Sequence, residues 1–536
     1  MKNVKSVIRL RDKSGRTRQL SVDEALDEAS SILSAGEHGN AHLLLEKAVR
    51  AAPFNAKARH LLGWSQALSG NVKEAAYNLR KAVDAEPNNA AYRGSLAHAL
   101  MSHEPAEAIP HFLAAILLGS NSPDIFINLT SILLDLRRED EALKVCDLSV
   151  VACQEQFAVL MNRSVALRRL GRLEEALACC RRQQELQPDD AGVWSNMGNI
   201  LRELGRLPES AEALRRACLP APPNSSLRCD LALTLLLSGN YREGFREYEG
   251  RWQNVAAKGR RLNLGKPLWD GSFLDGKSIL LYHEQGLGDS IQMVRYLPQV
   301  AKLGGRIALA VPSPLVRLMS WVPGQHEIVP PGFAFGAFDT QCPLLSLPLM
   351  LETDIESIPP PASFVIPTGI RESWAQRIAS AKTKVALVWA GSPGHAGNRY
   401  RSLRLCSFLS LIGVGDVDFF SLQVGPPAQE LLSEGLGNRI RDLSPFLADF
   451  AETAAALSCM DLVISVDTAV AHMAGSLGKP VWTLLPFIPD WRWLMDRNDS
   501  PWYPSMRLFR QQAQGDWETV ILEVLTALRL WLLDRA

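Results

Sequence analysis

Residues 62–89 read LGWSQALSGNVKEAAYNLRKAVDAEPNN. Apolar residues recur at helical spacing, Gly70 interrupts them, and Pro87 ends the second run. The stretch predicts two amphipathic helices joined by a tight turn. Working outward, its landmarks return on a 34-residue grid once one residue is deleted near Glu104. Gly36, Gly70, Gly171, Gly205 and Gly239 share one column, and Gly63 and Gly198 another. Ala41, Ala75, Ala142 and Ala176 align, as do Ala48, Ala82 and Ala217, and Pro53, Pro87, Pro188 and Pro222. Small residues suit close helix crossings, glycine suits the turn, and proline closes the second helix. Period and position agree together, which marks a repeat array. Seven units fit from about 22 to about 254, with 90–122 and 123–156 the weakest matches.

These units resemble tetratricopeptide repeats. The resemblance implies an α-solenoid whose groove holds a protein or peptide partner. Asn128, Asn162 and Asn196 occupy one column of successive units, followed by Asp230, while Ser95 and Leu61 hold that column earlier. Two readings stay open for it. A row of carboxamides suits a peptide backbone whatever its sequence, or the same side chains join neighbouring helices within the stack.

The totals narrow the classes. The 536 residues exceed one core, and roughly three to four domains are expected. Lys+Arg and Asp+Glu both number 57, so the basic excess of a non-specific nucleic-acid binder is missing. No apolar run of about 18 residues predicts a membrane span, and the basic N-terminus lacks the apolar core of a signal peptide. The nine cysteines are scattered without a CxxC pair, which argues against a disulfide framework or a zinc site. Together these features predict a soluble, cytoplasmic protein.

The pattern changes near 255. Residues 255–276 read as a connector. Short apolar runs at 277–283, 306–312, 385–391, 418–424, 461–466 and 481–486 then alternate with helical segments. This alternation predicts two open parallel α/β sheets, an N-terminal Rossmann-like lobe at 277–367 and a C-terminal one at 368–536. The proline-rich stretch 357–367 is expected to be the hinge, and a last helix over 516–534 is expected to pack back across both lobes.

Ligands in such lobes sit where strand meets helix, which singles out three stretches. In YHEQGLGDSIQMVRYL (282–297), Gly286 and Gly288 suit a tight turn with close substrate approach, and Asp289 opens a helix as a cap or as a functional acid. No GxGxxG supports a dinucleotide. In VWAGSPGHAGNRYRSLRL (388–405), Ser392 and the glycines precede Arg399, Arg401 and Arg404, and guanidinium groups suit a diphosphate, although no Walker A pattern is present. In DLVISVDTAVAHMAGSLG (461–478), Asp467 and Thr468 stand at a helix start, where free N–H groups and the helix dipole favour phosphate. His472 follows one turn on, as a ligand-facing group or a core histidine. The Trp- and Arg-rich segment 486–511 is expected over the cleft mouth, with Trp491 or Trp493 either stacking on a base or sugar or bracing the loop.

VISVDTAVAHMAGSLGKPV resembles the nucleotide-sugar motif of the heptosyltransferase-type enzymes of glycosyltransferase family 9, and QGLGD resembles that family's N-terminal turn. The likeness covers about 277–530. It implies a GT-B fold with the donor in the C-terminal lobe and the acceptor in the N-terminal lobe. It also implies donor contacts at Asp467, Thr468, Ala469 and His472, and a general base at Asp289, with His283 and Glu284 as alternates. The family commonly has Thr and Lys in its phosphate loop; this chain has Ser392 with Arg399 and Arg401. An array of such repeats fused to a GT-B enzyme is similar in architecture to O-GlcNAc transferase. The combined expectation is an inverting glycosyltransferase using a nucleotide-diphosphate sugar, with no metal or other cofactor and with a protein acceptor. The rivals are a repeat adaptor with an inactive transferase half, and a transferase acting on a lipid or saccharide.

Overall fold

The computed structural model describes residues 7–11, 17–220, 226–253, 262, 264–332, 338–394 and 397–535. Pro222, most of 254–263, and His395–Ala396 of the Arg-bearing loop lie outside the described residues. The chain divides into two compact units, Met1–Ile200 and Leu201–Ala536.

The first unit opens with an antiparallel hairpin, β1 (Val7–Arg11) and β2 (Thr17–Ser21). The sequence pattern predicts no strand there. Ile8 and Leu20 are buried against Ala25, Leu26 and Ala41, so the hairpin covers apolar surface of the first helix pair. Ser21 ends the hairpin and caps the helix Val22–Ser34, with Glu24 reaching back to the Ser21 N–H at 2.7 Å. Paired helices follow: Val22–Ser34 with His38–Ala51, Ala56–Leu68 with Val72–Ala85, Ala90–Leu100 with Pro105–Leu117, Pro123–Asp135 with Glu139–Cys153, and Phe157–Arg169 with Leu173–Leu186. The columns explain the packing. Ala41, Ala48, Ala75, Ala82, Ala142 and Ala176 are fully buried. A Cβ on Gly63 would stand 2.7 Å from Leu79 Cγ and 3.0 Å from the Ala75 carbonyl oxygen, so the helices cross too closely for a side chain. Gly36, Gly70 and Gly171 turn at φ of +75° to +81°. The weak unit 123–156 departs there: Arg137 takes the turn position at φ +59°.

In the second unit the helices Leu207–Cys218, Leu227–Leu237 and Tyr241–Tyr248 lead into a 3-10 turn, Glu249–Gln253. The boundary between the two units thus falls within the helix Ala191–Glu203, whereas the repeat array is expected to run to 254. The reason is packing: Leu236, Tyr241, Phe245 and Tyr248 belong to the same buried cluster as Ile291, Trp491 and Trp502.

Two parallel sheets follow. The N-terminal lobe orders β3 (Ser278–Tyr282), β4 (Arg306–Ala310), β5 (His326–Val329) and β6 (Thr340–Pro343) as β5-β4-β3-β6. The C-terminal lobe holds β7 (Thr383–Val388), β8 (Val417–Ser421), β9 (Ile440–Asp442), β10 (Leu462–Val466), β11 (Val481–Leu485) and β12 (Met506–Arg510). Their order is β12-β11-β10-β7-β8-β9. Read from β9, this is the dinucleotide-fold order 3-2-1-4-5-6. The segment 486–511 is thus not all cleft cover, because its end supplies the edge strand β12. The last helix, Trp517–Leu533, buries Val520, Val524 and Leu528 against Val385, Leu387 and Ile464 of the C-terminal sheet, rather than packing across both lobes as expected. Part of the connector is also structured: the Trp269 N–H bonds the Gln341 carbonyl at 2.8 Å beside β6. Among the described residues no helix is long and apolar enough to cross a membrane.

Candidate active site

Each sheet has a switch point, where the chain reverses direction across the sheet and leaves a crevice at the strands' carboxyl ends. In the N-terminal lobe it lies between β3 and β6. His283 and Glu284 leave β3 there. His283 Nδ1 pairs with Ser290 Oγ at 2.8 Å. Glu284 is buried, and Arg251 of the 3-10 turn enters from the helical side to bond its Oε1 at 3.0 Å and Ser346 Oγ at 2.7 Å. Burial pushes the Glu284 carboxyl up to about 7 against the pull of Arg251. Glu284 Oε2 has no hydrogen-bond partner.

Asp289 lies in the first turn of the helix Leu287–Met293 and reaches back to its start: its Oδ2 accepts the Gly286 N–H at 2.6 Å. Its Oδ1 accepts from Arg492 of the other lobe at 2.5 Å. The glycines of this turn have a different purpose from the expected one. Gly286 is extended at φ −74°, so no left-handed turn is required. A Cβ on Gly288 would lie 2.8 Å from His472 Cδ2 and 3.3 Å from Ala469 Cα. Gly288 thus allows the two lobes' helices to touch.

In the C-terminal lobe the switch point lies between β7 and β10. The loop after β7 carries Gly391 and Ser392; the loop after β10 carries Asp467 and Thr468. Ser392 is exposed. The two arginines part company. Arg399 is exposed, lies over the Tyr400 ring and bonds its hydroxyl. Arg401 turns inward, its NH1 3.6 Å from Asp467 Oδ2, and its Nε has no hydrogen-bond partner. A Cβ on Gly391 would meet Arg401 Nε at 2.9 Å, so glycine makes room for that guanidinium. Arg404 pairs with Glu434 at the surface, 3.1 Å away.

Asp467 is buried, and its carboxyl is pushed up to about 6 by burial and then by Asp490, with Arg401 and Arg492 opposing. Thr468 is the first residue of the turn into the helix Ala469–Ser476 but does not cap it, since its hydroxyl pairs with Ser465 Oγ at 3.0 Å. The helix start therefore lacks a side-chain cap, the condition that favours an anion there. His472 is buried between Trp493, stacked at 5.2 Å, and Tyr503, whose hydroxyl is 3.0 Å from Nδ1. Burial, then Arg492, Arg295 and Arg401, hold its ring far below the usual histidine range, so it is neutral.

Trp491 is not where a base or sugar would meet it. It is 2% exposed, edge-on to Tyr241 at 6.0 Å and Phe245 at 5.5 Å, so of its two readings the bracing one fits. Arg492, beside it, escaped the sequence reading. It donates to Asp289, to Gln292 Oε1 at 2.6 Å and to Asp490 Oδ1 at 2.8 Å. Its only sequence signal was a lone cation between two tryptophans.

The repeat column is engaged within the stack. Asn162 Nδ2 donates to Thr130 Oγ1 at 2.7 Å and to the Ile127 carbonyl at 3.2 Å. Asn196 Nδ2 lies 2.9 Å from Met161 Sδ, and Asn128 Nδ2 lies 3.3 Å from His98 Nδ1. Asp230 is half-buried and its backbone carbonyl accepts from Arg202 at 3.1 Å. The amide donors thus serve neighbouring helices.

Comparison with known proteins agrees with both halves. The tetratricopeptide repeat model matches residues 26–90 and 161–226. The model of glycosyltransferase family 9 (heptosyltransferase) matches residues 428–487, which include Asp467 through His472 but neither Asp289 nor the Arg401 loop. Protein FlbA of Caulobacter vibrioides is 28% identical over 323 residues, covering 56% of this chain and 54% of that protein. The chain thus spans about half the length of that relative. Among solved structures, YrrB, described as a tetratricopeptide repeat protein with an unusual peptide-binding site, overlays with a TM-score of 0.31 at 20% identity, covering 33% of this chain and 93% of its own. A tetratricopeptide repeat protein from Parabacteroides merdae overlays with a TM-score of 0.34 at 13% identity, covering 42% and 90%. The chain joins tetratricopeptide repeats to an α/β unit bearing a segment of glycosyltransferase family 9 type.

Proposed function

We propose that this chain is an inverting glycosyltransferase of GT-B type that moves a sugar from a nucleotide-diphosphate sugar to a protein acceptor. One observation carries the reading: at the C-terminal switch point an uncapped helix start, Asp467, the neutral His472 and the inward-turned Arg401 meet. Charge builds on the leaving diphosphate during transfer, and fixed donors aimed at it lower the barrier. The Ala469 end of the helix, the Thr468 hydroxyl and Arg401 would supply those donors, with Ser392 at the rim. His472 offers a neutral donor or acceptor held by Tyr503. Asp289 would take the acceptor's proton, with Glu284 and His283 behind it. No step calls for a metal, so activity should persist in EDTA. The repeats would present the acceptor from the cytoplasm, using carboxamide oxygens of Asn128, Asn162 and Asn196.

Calorimetry over a panel of nucleotide-diphosphate sugars tests this directly. The wild type should bind at least one donor, and His472→Ala and Asp467→Ala should weaken that binding while the chain stays folded. A wild type that binds none would remove the donor site.

A second reading has an observation of its own. Gly288 lies against His472 and Ala469, and Asp289 is tied up by Arg492. Lobes welded in that position would make an adaptor whose transferase half is silent. Retained peptide binding with no donor binding would favour it.

A further inference from the structure

Arg492 joins the two lobes at the candidate site through carboxylates, whereas Arg295 of the N-terminal lobe joins them there through the Trp502 carbonyl at 3.0 Å. Arg492 is 7% exposed and holds Asp289 Oδ1 at 2.5 Å and Gln292 Oε1 at 2.6 Å on the N-terminal lobe, and Asp490 Oδ1 at 2.8 Å on its own lobe. Asp289 is 19% exposed, more open to solvent than its partner. Gly288, next to Asp289, lies against His472 and Ala469 at the start of the helix Ala469–Ser476, so the Asp289–Arg492 pair stands beside that helix start. Both oxygens of Asp289 are thus engaged, Oδ1 by Arg492 and Oδ2 by the Gly286 N–H, so neither is free to take a proton from an acceptor.

We propose that Arg492 is an exchangeable diphosphate clamp, with the Asp289 carboxylate occupying the place of the donor's diphosphate until the donor arrives. This rests on the donor-site reading given above. A nucleoside diphosphate brings more negative charge than one carboxylate and matches a planar guanidinium in two-point contact. It displaces Asp289, while Asp490 keeps Arg492 oriented. Two consequences follow at once. The interlobe bond at Asp289 is released, and Asp289 regains the free oxygen that a general base needs. Donor binding thereby arms the base, and the acceptor must come second.

The test is calorimetric titration of the full chain with inorganic pyrophosphate and with uridine, guanosine, adenosine and cytidine diphosphates. Asp289→Asn removes the competing charge yet retains an oxygen for the Gly286 N–H. It should bind the preferred diphosphate roughly tenfold tighter than wild type, the worth of one charge-assisted bond no longer competing. Arg492→Gln should bind at least roughly tenfold weaker, and Arg492→Lys should recover part of that loss. Should Asp289→Asn not fold, Asp289→Ser, which also offers a capping oxygen, repeats the measurement. If diphosphate affinity is unchanged or weaker in a folded Asp289 variant, or unchanged in Arg492→Gln, the clamp is wrong while the donor site stands. If wild type and every variant bind none of the five probes, the clamp and the donor site fall together.

Discussion

Asp467→Asn should make the chain more stable and less able to bind a donor. Asp467 sits at the end of β10, where burial and Asp490 push its carboxyl from the ordinary 3.8 up to about 6, against Arg401 at 3.6 Å and Arg492. At about 1.36 kcal/mol per pH unit, that displacement is worth about 3 kcal/mol. The sign follows from which state holds the proton. Below 3.8 the group is neutral folded and unfolded, and nothing is lost. Between 3.8 and about 6 the unfolded chain ionises while the folded one keeps its proton, so rising pH favours unfolding. Above about 6 both are charged and the whole penalty is present. Asparagine has no charge to bury. The opposing pull of Arg401 and Arg492 is already contained in that displacement, so the expected increase at pH 8 is about 3 kcal/mol. Urea unfolding followed by tryptophan fluorescence at pH 8, 6 and 4.5 measures it. The gap between variant and wild type should be widest at pH 8 and narrow as pH falls through 6. Glu284, pushed up to about 7, titrates in the same range but is common to both proteins and cancels in the difference. An Asp467→Asn chain less stable than wild type at pH 8, or a gap independent of pH, would refute the claim that this carboxylate is held at a cost.

Arg401→Ala should weaken donor binding by roughly tenfold or more, whereas Arg399→Ala, whose guanidinium is spent on Tyr400, should leave it within about twofold; equal effects in calorimetry would undo the assignment. Asn162→Ala should lower stability by about 1 kcal/mol in urea because it removes the bonds to Thr130 and Ile127, and an unchanged midpoint would return that column to the partner-binding reading alone. Arg137→Gly should raise stability by about 0.5–1 kcal/mol, since Arg137 holds φ +59° where the better repeats have glycine; a loss on the same melt would contradict the strain. A fragment of residues 277–536 should lack a cooperative thermal transition that a fragment of residues 201–536 retains, and matching transitions in differential calorimetry would show that the last helices are dispensable to the α/β unit.

The repeat half was legible because its columns are physical necessities. A buried alanine, a glycine at a crossing and a left-handed glycine in a turn are each constrained by a neighbour one repeat away, so periodicity exposes them. The same logic located the weak unit but not its cause, since Arg137 adopts the glycine conformation without carrying its signature. Long apolar strands such as β3, β7 and β10 were legible as well. The shorter β5, β6 and β9 were not, because three or four residues carry too little pattern, nor was β12, whose apolar run is broken by Arg507 and Arg510. At the site, strand-to-helix turns pointed to Asp467, Thr468 and Asp289. The partner of Asp289 was hidden, because Arg492 lies 203 residues away in sequence. The choice between Arg399 and Arg401 was equally hidden: it depends on the missing side chain of Gly391, which no local rule connects to an arginine ten positions on.

The end of the repeat array belongs to the chemistry of the α/β unit rather than standing beside it. Tyr241 and Phe245 press edge-on against Trp491, and the Tyr241 hydroxyl takes the Trp502 indole N–H at 3.0 Å. Trp491 in turn lies under the Arg492 guanidinium, 4.2 Å from ring centre to carbon. Three residues therefore lead from the last helix to the group that holds Asp289. On the other side of the same helix end, Arg251 fills the N-terminal switch point and neutralises Glu284. A buried carboxylate stripped of such a partner is strongly destabilising, by about 3–5 kcal/mol. The last repeat helices thus pack against both the N-terminal crevice, through Arg251, and the interlobe arginine, through Trp491. The physical connection between the last repeat helix and Arg492 therefore lies in packing, through Tyr241, Phe245 and Trp491.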